Sequence, residues 1–249
     1  RLMHDDGHFD KQVAASYDES SAEMFDPGIV NPVVDFLAGL AADGPALELG
    51  IGTGRIALPL TQRGVEVHGI EMSKSMIAQL RAKPGGDDID VTIGDFATAS
   101  VVGSFTVAYL VFNTIMNLTT QEAQIACFRN VAAHLQPGGC FVIEVVLPDL
   151  QRLPTGETVQ AWEVSDKRLG FDEYKASEQG LTSHHFNLVD GNWEYFSMPF
   201  RYVWPSELDL MAELAGMKLR ERWSGWQREP FTSDSRRLVA VWEKRPELD

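Results

Sequence analysis

The chain has 249 residues, which suits one large domain or a core with a modest second lobe. Apolar residues make up 44% of it and charged residues 23%, a balance typical of a soluble globular protein. The net charge of -15 disfavours nucleic acid and anionic membrane surfaces as partners, because both repel an excess of carboxylates. No apolar run reaches the roughly 20 residues that a membrane-spanning helix needs.

The first forty residues predict two amphipathic helices, over 8–18 and 29–42, because apolar side chains recur there at helical spacing. Strands and helices then alternate over about a hundred residues, a pattern typical of a parallel sheet with helices on both faces. In this part the sequence predicts strands over 46–49, 65–70, 91–93, 105–112 and 140–146, and helices over 56–63, 75–82 and 121–135.

The pattern changes after Pro148. Residues 149–180 are polar and are predicted to be irregular, and a β-hairpin over 184–204 follows, with Asp190-Gly191 at its turn. A helix over 206–215 and strands over 219–223 and 237–242 end the chain. The second arm of the hairpin has an aromatic face that we expect to pack on the core; a pocket wall and a dimer interface are the alternatives. That face comprises Phe196, Met198, Phe200, Tyr202 and Trp204.

The predicted fold class is a Rossmann-like, doubly wound α/β protein with a mostly parallel seven-stranded sheet and an inserted antiparallel β-hairpin lobe. We expect residues 1–148 to form the N-terminal helices and most of the core. Residues 149–205 form the inserted lobe, and residues 206–249 add the last helix and two strands that complete the core sheet.

The two cysteines, Cys127 and Cys140, form neither a disulfide framework nor a metal-ligand spacing. Because no metal-ligand spacing is present, we predict no metal site. A chain with few thiols and no recognisable signal segment is expected in the cytoplasm.

A glycine-rich turn is the most informative motif. It follows the first predicted strand and opens a helix, where glycines let the backbone approach a ligand and free amides attract negative charge. Glu71 ends the next predicted strand, where an acid can accept hydrogen bonds from both hydroxyls of a ribose. Turn, helix and acid together predict a nucleoside site. The turn reads Glu48-Leu49-Gly50-Ile51-Gly52-Thr53-Gly54.

The spacing of the glycines disfavours a dinucleotide. The NAD fingerprint has its third glycine five positions after the first, whereas Arg55 stands there in this chain and the third glycine is Gly54. Glu48 precedes the turn, and an acid there would repel a pyrophosphate but suits the cationic amino group of a methionine moiety.

These motifs resemble those of class I S-adenosylmethionine-dependent methyltransferases of the small-molecule type, over roughly residues 9–146 and the last two strands. The resemblance implies S-adenosylmethionine as cofactor and S-adenosylhomocysteine as product. It also implies a ribose acid (Glu71), an adenine-binding segment after the third strand, and contacts to the methionine part after the fourth. The cofactor residues implied are Glu48, Gly50, Ile51, Gly52, Thr53, Gly54, Glu71, Met72, Met76, Gly94, Asp95, Phe96, Phe112 and Asn113.

Three residues are candidates for a role in catalysis. Relatives that methylate amino sugars have a histidine shortly after the fourth strand; here Asn117 stands there, and it can orient an acceptor but cannot take its proton. Tyr17 resembles a tyrosine that relatives place over the methyl donor, although it also fits an ordinary amphipathic helix. His184 and His185 alternate on a predicted strand, so only one can face a pocket, and His184 is our candidate.

We therefore expect a methyltransferase that acts on nitrogen or oxygen of a small molecule, mainly by proximity and orientation. We expect it to be a monomer or homodimer, with no nucleic-acid or membrane partner. Two alternatives stay open: an NAD(P)-dependent oxidoreductase on a related fold, and a non-catalytic protein that binds S-adenosylmethionine.

Overall fold

The computed structural model describes Asp18 and residues 22–246. The predicted helix over 8–18 lies outside these residues except for Asp18. The strands are β1 Ala46–Leu49, β2 Val67–Glu71, β3 Asp90–Ile93, β4 Phe105–Leu110, β5 Leu135–Val146, β6 Val159–Val164, β7 Arg168–Lys175, β8 Gly180–Val189, β9 Asn192–Arg201, β10 Met217–Trp223 and β11 Arg237–Lys244. The helices are α1 Pro27–Ala41, α2 Ala57–Gln62, α3 Lys74–Arg81, α4 Gln121–His134 and α5 Pro205–Leu214.

The larger sheet has seven strands in the order β10-β11-β5-β4-β1-β2-β3. Strands β1 to β5 pair in parallel, while β11 runs antiparallel to both β5 and β10. The chain winds outward from β1 to β3 and then returns to place β4 beside β1. Ligands of open α/β sheets bind at such a switch point, outside the carboxyl ends of the strands.

The core consists of two apolar layers, one on each face of this sheet. One layer contains the inner faces of α1 and α2, with Val33, Leu37 and Leu60 fully buried. The other contains α4 and α5, with Phe128 and Leu208 fully buried. All four residues of β1 are buried, as expected for a parallel strand covered on both faces. The predicted fold class is therefore confirmed.

The inserted lobe is a four-stranded antiparallel sheet in the order β6-β7-β8-β9. The prediction that residues 149–180 are irregular was wrong, because β6 and β7 lie there. Every residue of β6 is exposed or half-buried, and apolar and polar side chains do not alternate regularly along it, so the pattern that signals a strand is weak. The turn of the hairpin is confirmed: Asp190 and Gly191 have φ values of 49° and 80°, as a type I′ turn requires.

The aromatic face predicted for the second hairpin arm, which β9 and the residues after it form, is divided between core and solvent. Phe200 packs against the core and Tyr202 is fully buried, as expected. Phe196 is 38% exposed and stacks on His185, with ring centroids 4.5 Å apart. Core packing therefore explains only the part of this face that lies next to the larger sheet.

Candidate active site

The three glycines of the turn after β1 have different local functions. Gly50, Gly52 and Gly54 all have positive φ (69°, 55° and 81°), which strains any other residue. A Cβ on Gly54 would lie 2.4 Å from Leu80, so this glycine allows α3 to pack closely. A Cβ on Gly52 would meet nothing nearer than Met76 Cε, at 3.8 Å. The space next to Gly52 is thus open to a ligand.

Glu71, the last residue of β2, connects this turn to the start of α3. Its Oε2 accepts from the Gly52 amide and its Oε1 from the Ser73 amide, both at 2.9 Å. Each carboxylate oxygen has a second lone pair, so both can also accept from ribose hydroxyls. Next to it, Met76 is buried, whereas Met72 is 46% exposed.

Glu48 is a buried acid whose charge depends on its surroundings. Burial raises its pKa to about 8, although hydrogen bonds from Tyr109 and the Ala57 amide and the charge of Arg55 oppose the shift. The Tyr109 hydroxyl donates to Glu48 Oε2 at 2.9 Å. The carboxyl is therefore mostly protonated at pH 7, whereas the sequence argument treated it as charged.

The segment that the sequence predicts to bind adenine follows β3. The Gly94 amide donates to the Glu71 carbonyl at 3.0 Å, which joins this segment to Glu71. Asp95 closes the turn by accepting from the Ala97 amide at 2.8 Å. Phe96 is half-buried, and its ring lies 3.9 Å from the Cβ position of Gly50.

Phe112 and Asn113 form a strained corner after β4. Their φ values of 56° and 62° lie in the left-handed region, which costs about 1–3 kcal/mol for such residues. The sequence did not reveal the residue that holds them: Glu144 of β5, which is buried and accepts from the Phe112 amide at 3.0 Å. Arg55 also belongs to this corner, with its guanidinium carbon 3.2 Å from the centroid of the Phe112 ring.

Two of the expected cofactor residues turn their side chains away from the open space. Ile51 is buried in the core, so only its backbone is available. Thr53 donates its hydroxyl to Asp18 at 2.7 Å, and Lys83 donates to the Thr53 carbonyl at 2.8 Å while it pairs with Asp18. Sequence reasoning missed Asp18 and Lys83, because nothing local signals a contact between such distant positions.

The structure describes two of the three catalytic candidates, Asn117 and His184, and they lie in different parts of the fold. Tyr17 lies outside the described residues. Asn117 is exposed at the end of a short 3-10 turn, Thr114–Asn117, which follows the strained corner. His184 lies in the lobe, where its Nδ1 is 2.8 Å from the Tyr195 hydroxyl and its Nε2 is 3.4 Å from Glu173.

In the described part of the chain, no three His, Cys, Asp or Glu side chains are grouped as a metal site would require. Over the same residues, no helix has the length and apolar character needed to cross a membrane.

Together, the open glycine cradle, the Glu71 carboxylate and the segment after β3 lie at the switch point, where open α/β sheets bind their ligands. Residues 46–139 match the model of the methyltransferase domain family. The CcbJ methyltransferase of Streptomyces caelestis is 37% identical, with 98% of this chain and 100% of that chain covered and a TM-score of 0.85.

Two further relatives are similar to most of the chain. Cypemycin N-terminal methyltransferase from Streptomyces sp is 26% identical over 239 residues, which cover 92% of this chain and 98% of the relative. The structure of SAM-bound CalS10, an amino pentose methyltransferase from Micromonospora echinaspora, has 21% identity and a TM-score of 0.67 over 91% of this chain and 96% of that one. At this low identity, the similarity to CalS10 shows that the two chains share a fold.

The chain belongs to the class I S-adenosylmethionine-dependent methyltransferases. It is a transferase whose cofactor is S-adenosylmethionine, and the open space at Gly52 beside the Glu71 carboxylate fits the ribose of that cofactor. Family membership favours the methyltransferase hypothesis over the oxidoreductase one.

Proposed function

We propose that this enzyme transfers a methyl group to an amine nitrogen of a small molecule. The observation that carries the proposal is the crevice at Gly52 and Glu71, which opens at the ends of β1 and β2, next to the corner after β4. The cypemycin relative, whose name places its reaction at an N-terminus, supports nitrogen as the acceptor atom.

The residue at the usual base position also favours nitrogen. An amine in its neutral form attacks a methyl group without first losing a proton, and an ammonium group can lose its proton to water before it binds, whereas a hydroxyl needs a base during the transfer. Asn117 cannot act as that base, but its amide can orient an acceptor. It is exposed at the end of the Thr114–Asn117 turn, where a bound acceptor has access to it.

The inserted lobe borders the same region. The side-chain amide of Gln124 donates to the carbonyls of Ile115, in that turn, and of Arg201, at the end of β9 (3.3 and 3.1 Å). The lobe is thereby fixed next to the turn, and we assign it the wall of the acceptor site. Tyr17 remains a proposed neighbour of the methyl donor, and His184 a proposed contact of the acceptor.

In this mechanism the bound cofactor supplies an electrophilic methyl group. Glu71 holds the ribose, Asp95 and Phe96 hold the adenine, and Phe112 and Asn113 align the methionine part. The enzyme contributes by holding the two reactants in line and by excluding water. For well-oriented groups this lowers the activation barrier by about 7–11 kcal/mol. The proposal includes a cytoplasmic monomer or homodimer without a nucleic-acid partner, in keeping with the net charge of -15.

Calorimetry and a transfer assay test the proposal. We expect S-adenosylhomocysteine to bind the purified protein with micromolar affinity and NADH not to bind. With a labelled methyl group on S-adenosylmethionine, we expect label in products of a small-amine panel and none in a matched panel of phenols and alcohols. Transfer to the hydroxyl panel alone would refute the choice of nitrogen, and binding of NADH alone would refute the cofactor site.

A further inference from the structure

The corner after β4 is unusual because neither of its left-handed residues is a glycine. Phe112 and Asn113 have φ values of 56° and 62°, and a bulky aromatic residue rarely adopts this conformation. Such a conformation persists only where surrounding contacts determine it. The contacts that hold this corner therefore decide where its side chains point.

Glu144 supplies two of these contacts from the neighbouring strand β5. Its carboxylate accepts from the Phe112 amide at 3.0 Å, and its backbone carbonyl accepts from the Asn113 amide at 3.2 Å. The Asn113 side chain in turn accepts from the Val146 amide at 2.6 Å. Glu144 is only 7% exposed, so its carboxylate has lost most of its contact with water. A buried carboxylate without a local function costs stability, and here it satisfies the first amide of the strained pair.

Arg55 contacts the same corner from the turn after β1. It follows the last glycine of the turn after β1, and its guanidinium lies 3.2 Å from the centroid of the Phe112 ring. Cation–π attraction of this kind fixes the ring relative to the glycine turn. The corner is thus held between the strand that precedes the lobe and the turn that receives the cofactor.

We infer that Glu144 is a positioning residue, which with Arg55 sets the Phe112–Asn113 corner so that the methionine part of the cofactor is aligned for transfer. The inference rests on the proposed function, because it takes the corner to face the amino-acid end of S-adenosylmethionine. Glu144 itself need not touch the cofactor, since it acts through the backbone of Phe112.

The test compares two nucleosides that differ in the amino-acid part. S-adenosylhomocysteine carries that part and 5′-methylthioadenosine lacks it, while both present adenosine and a sulfur. We expect Glu144→Leu to raise the Kd of S-adenosylhomocysteine about tenfold, which is the scale of one lost hydrogen bond to a charged group. The Kd of 5′-methylthioadenosine should change by less than about twofold. Glu144→Gln, which keeps an acceptor for the Phe112 amide, should restore most of the affinity.

Controls separate this effect from a general loss of structure. Glu243→Leu removes an acid from the adjacent strand β11, where Glu243 pairs with Lys218 and Arg220, and both Kd values should stay at the wild-type level. If Glu144→Leu does not fold, Glu144→Asp, which withdraws the carboxylate by one methylene, should show the same selective loss to a smaller degree. A parallel rise in the Kd of both nucleosides, or no rise in either Kd, would overturn the inference. Failure of the wild type to bind either nucleoside would instead overturn the proposed function.

Discussion

A buried polar cluster joins the inserted lobe to the core, and Arg201 is at its centre. Arg201 is 5% exposed and donates to Glu207 of α5 at 2.7 Å and to Gln124 of α4. Glu207 also accepts from Gln179 and Gln121, at 2.7 and 2.8 Å. Burial alone would raise the pKa of Glu207, but these hydrogen bonds and the charge of Arg201 hold it below its ordinary value.

We predict that Arg201→Met lowers the free energy of unfolding by about 3 kcal/mol. Removal of one partner from a buried ion pair costs about 3–5 kcal/mol, and the low end applies because Gln179 and Gln121 still donate to Glu207. For a chain of this size, 3 kcal/mol corresponds to a fall in Tm of about 6–12 °C. Urea denaturation and thermal melting at pH 7 measure the two quantities.

The cluster also makes a prediction about pH. A carboxyl whose pKa is lower in the folded state stabilises the protein above its unfolded pKa, and this contribution is lost as the pH falls through the folded pKa. The wild type should therefore lose more stability in acid than Arg201→Met, so their curves converge. Arg245→Met breaks an exposed ion pair with Glu213, which lies on α5 like Glu207. It should lower the free energy of unfolding by less than about 1 kcal/mol. Equal, small losses in both variants would refute the assignment of the cluster as the anchor of the lobe.

Three other predictions concern the cofactor crevice. Gly52→Val should abolish binding of S-adenosylhomocysteine in a protein that still melts cooperatively, because its side chain fills the open space; calorimetry that returns the wild-type Kd would exclude this cradle. Glu71→Ala should weaken binding by about 1–3 kcal/mol, since it removes acceptors for the ribose and for the Gly52 amide; an unchanged Kd would mean that the ribose lies elsewhere. Glu48 has a folded pKa of about 8, above its ordinary value of 4.5, so the wild type should lose stability as the pH rises between these values. Glu48→Gln should not show that loss in urea melts at pH 5 and pH 8, and parallel behaviour of the two proteins would contradict the buried, neutral carboxyl.

The core of the fold was predictable because the buried parallel strands are short apolar runs separated by helical patterns. The predicted strand over 46–49 matches β1 residue for residue. The lobe was only half predictable: Asp190-Gly191 signals its turn locally, whereas β6 has no buried residue and neither β6 nor β7 shows a clear alternation. Contacts between distant residues also leave no local signal: Asp209 of α5, for example, accepts from Arg222 and Trp242.

The candidate site was also predictable only where local motifs mark it. Glu71 and the glycine turn are local motifs with fixed spacing, and the structure brings them within hydrogen-bond distance. Glu144 and Lys83 act on residues distant in sequence, through the backbone of Phe112 and Thr53. Such contacts leave no periodic or motif signal, so only the structure reveals them.

The order of the strands has a consequence for synthesis on the ribosome. The strand β5 pairs with β4 on one side and with β11, the last strand, on the other. While the chain emerges, that second side stays unpaired until the whole lobe and α5 have been made, because β11 follows them. The lobe pairs only consecutive strands and can fold locally in the meantime. The nascent chain thus carries an open, strongly apolar strand edge late in its synthesis, which is where truncated products would aggregate.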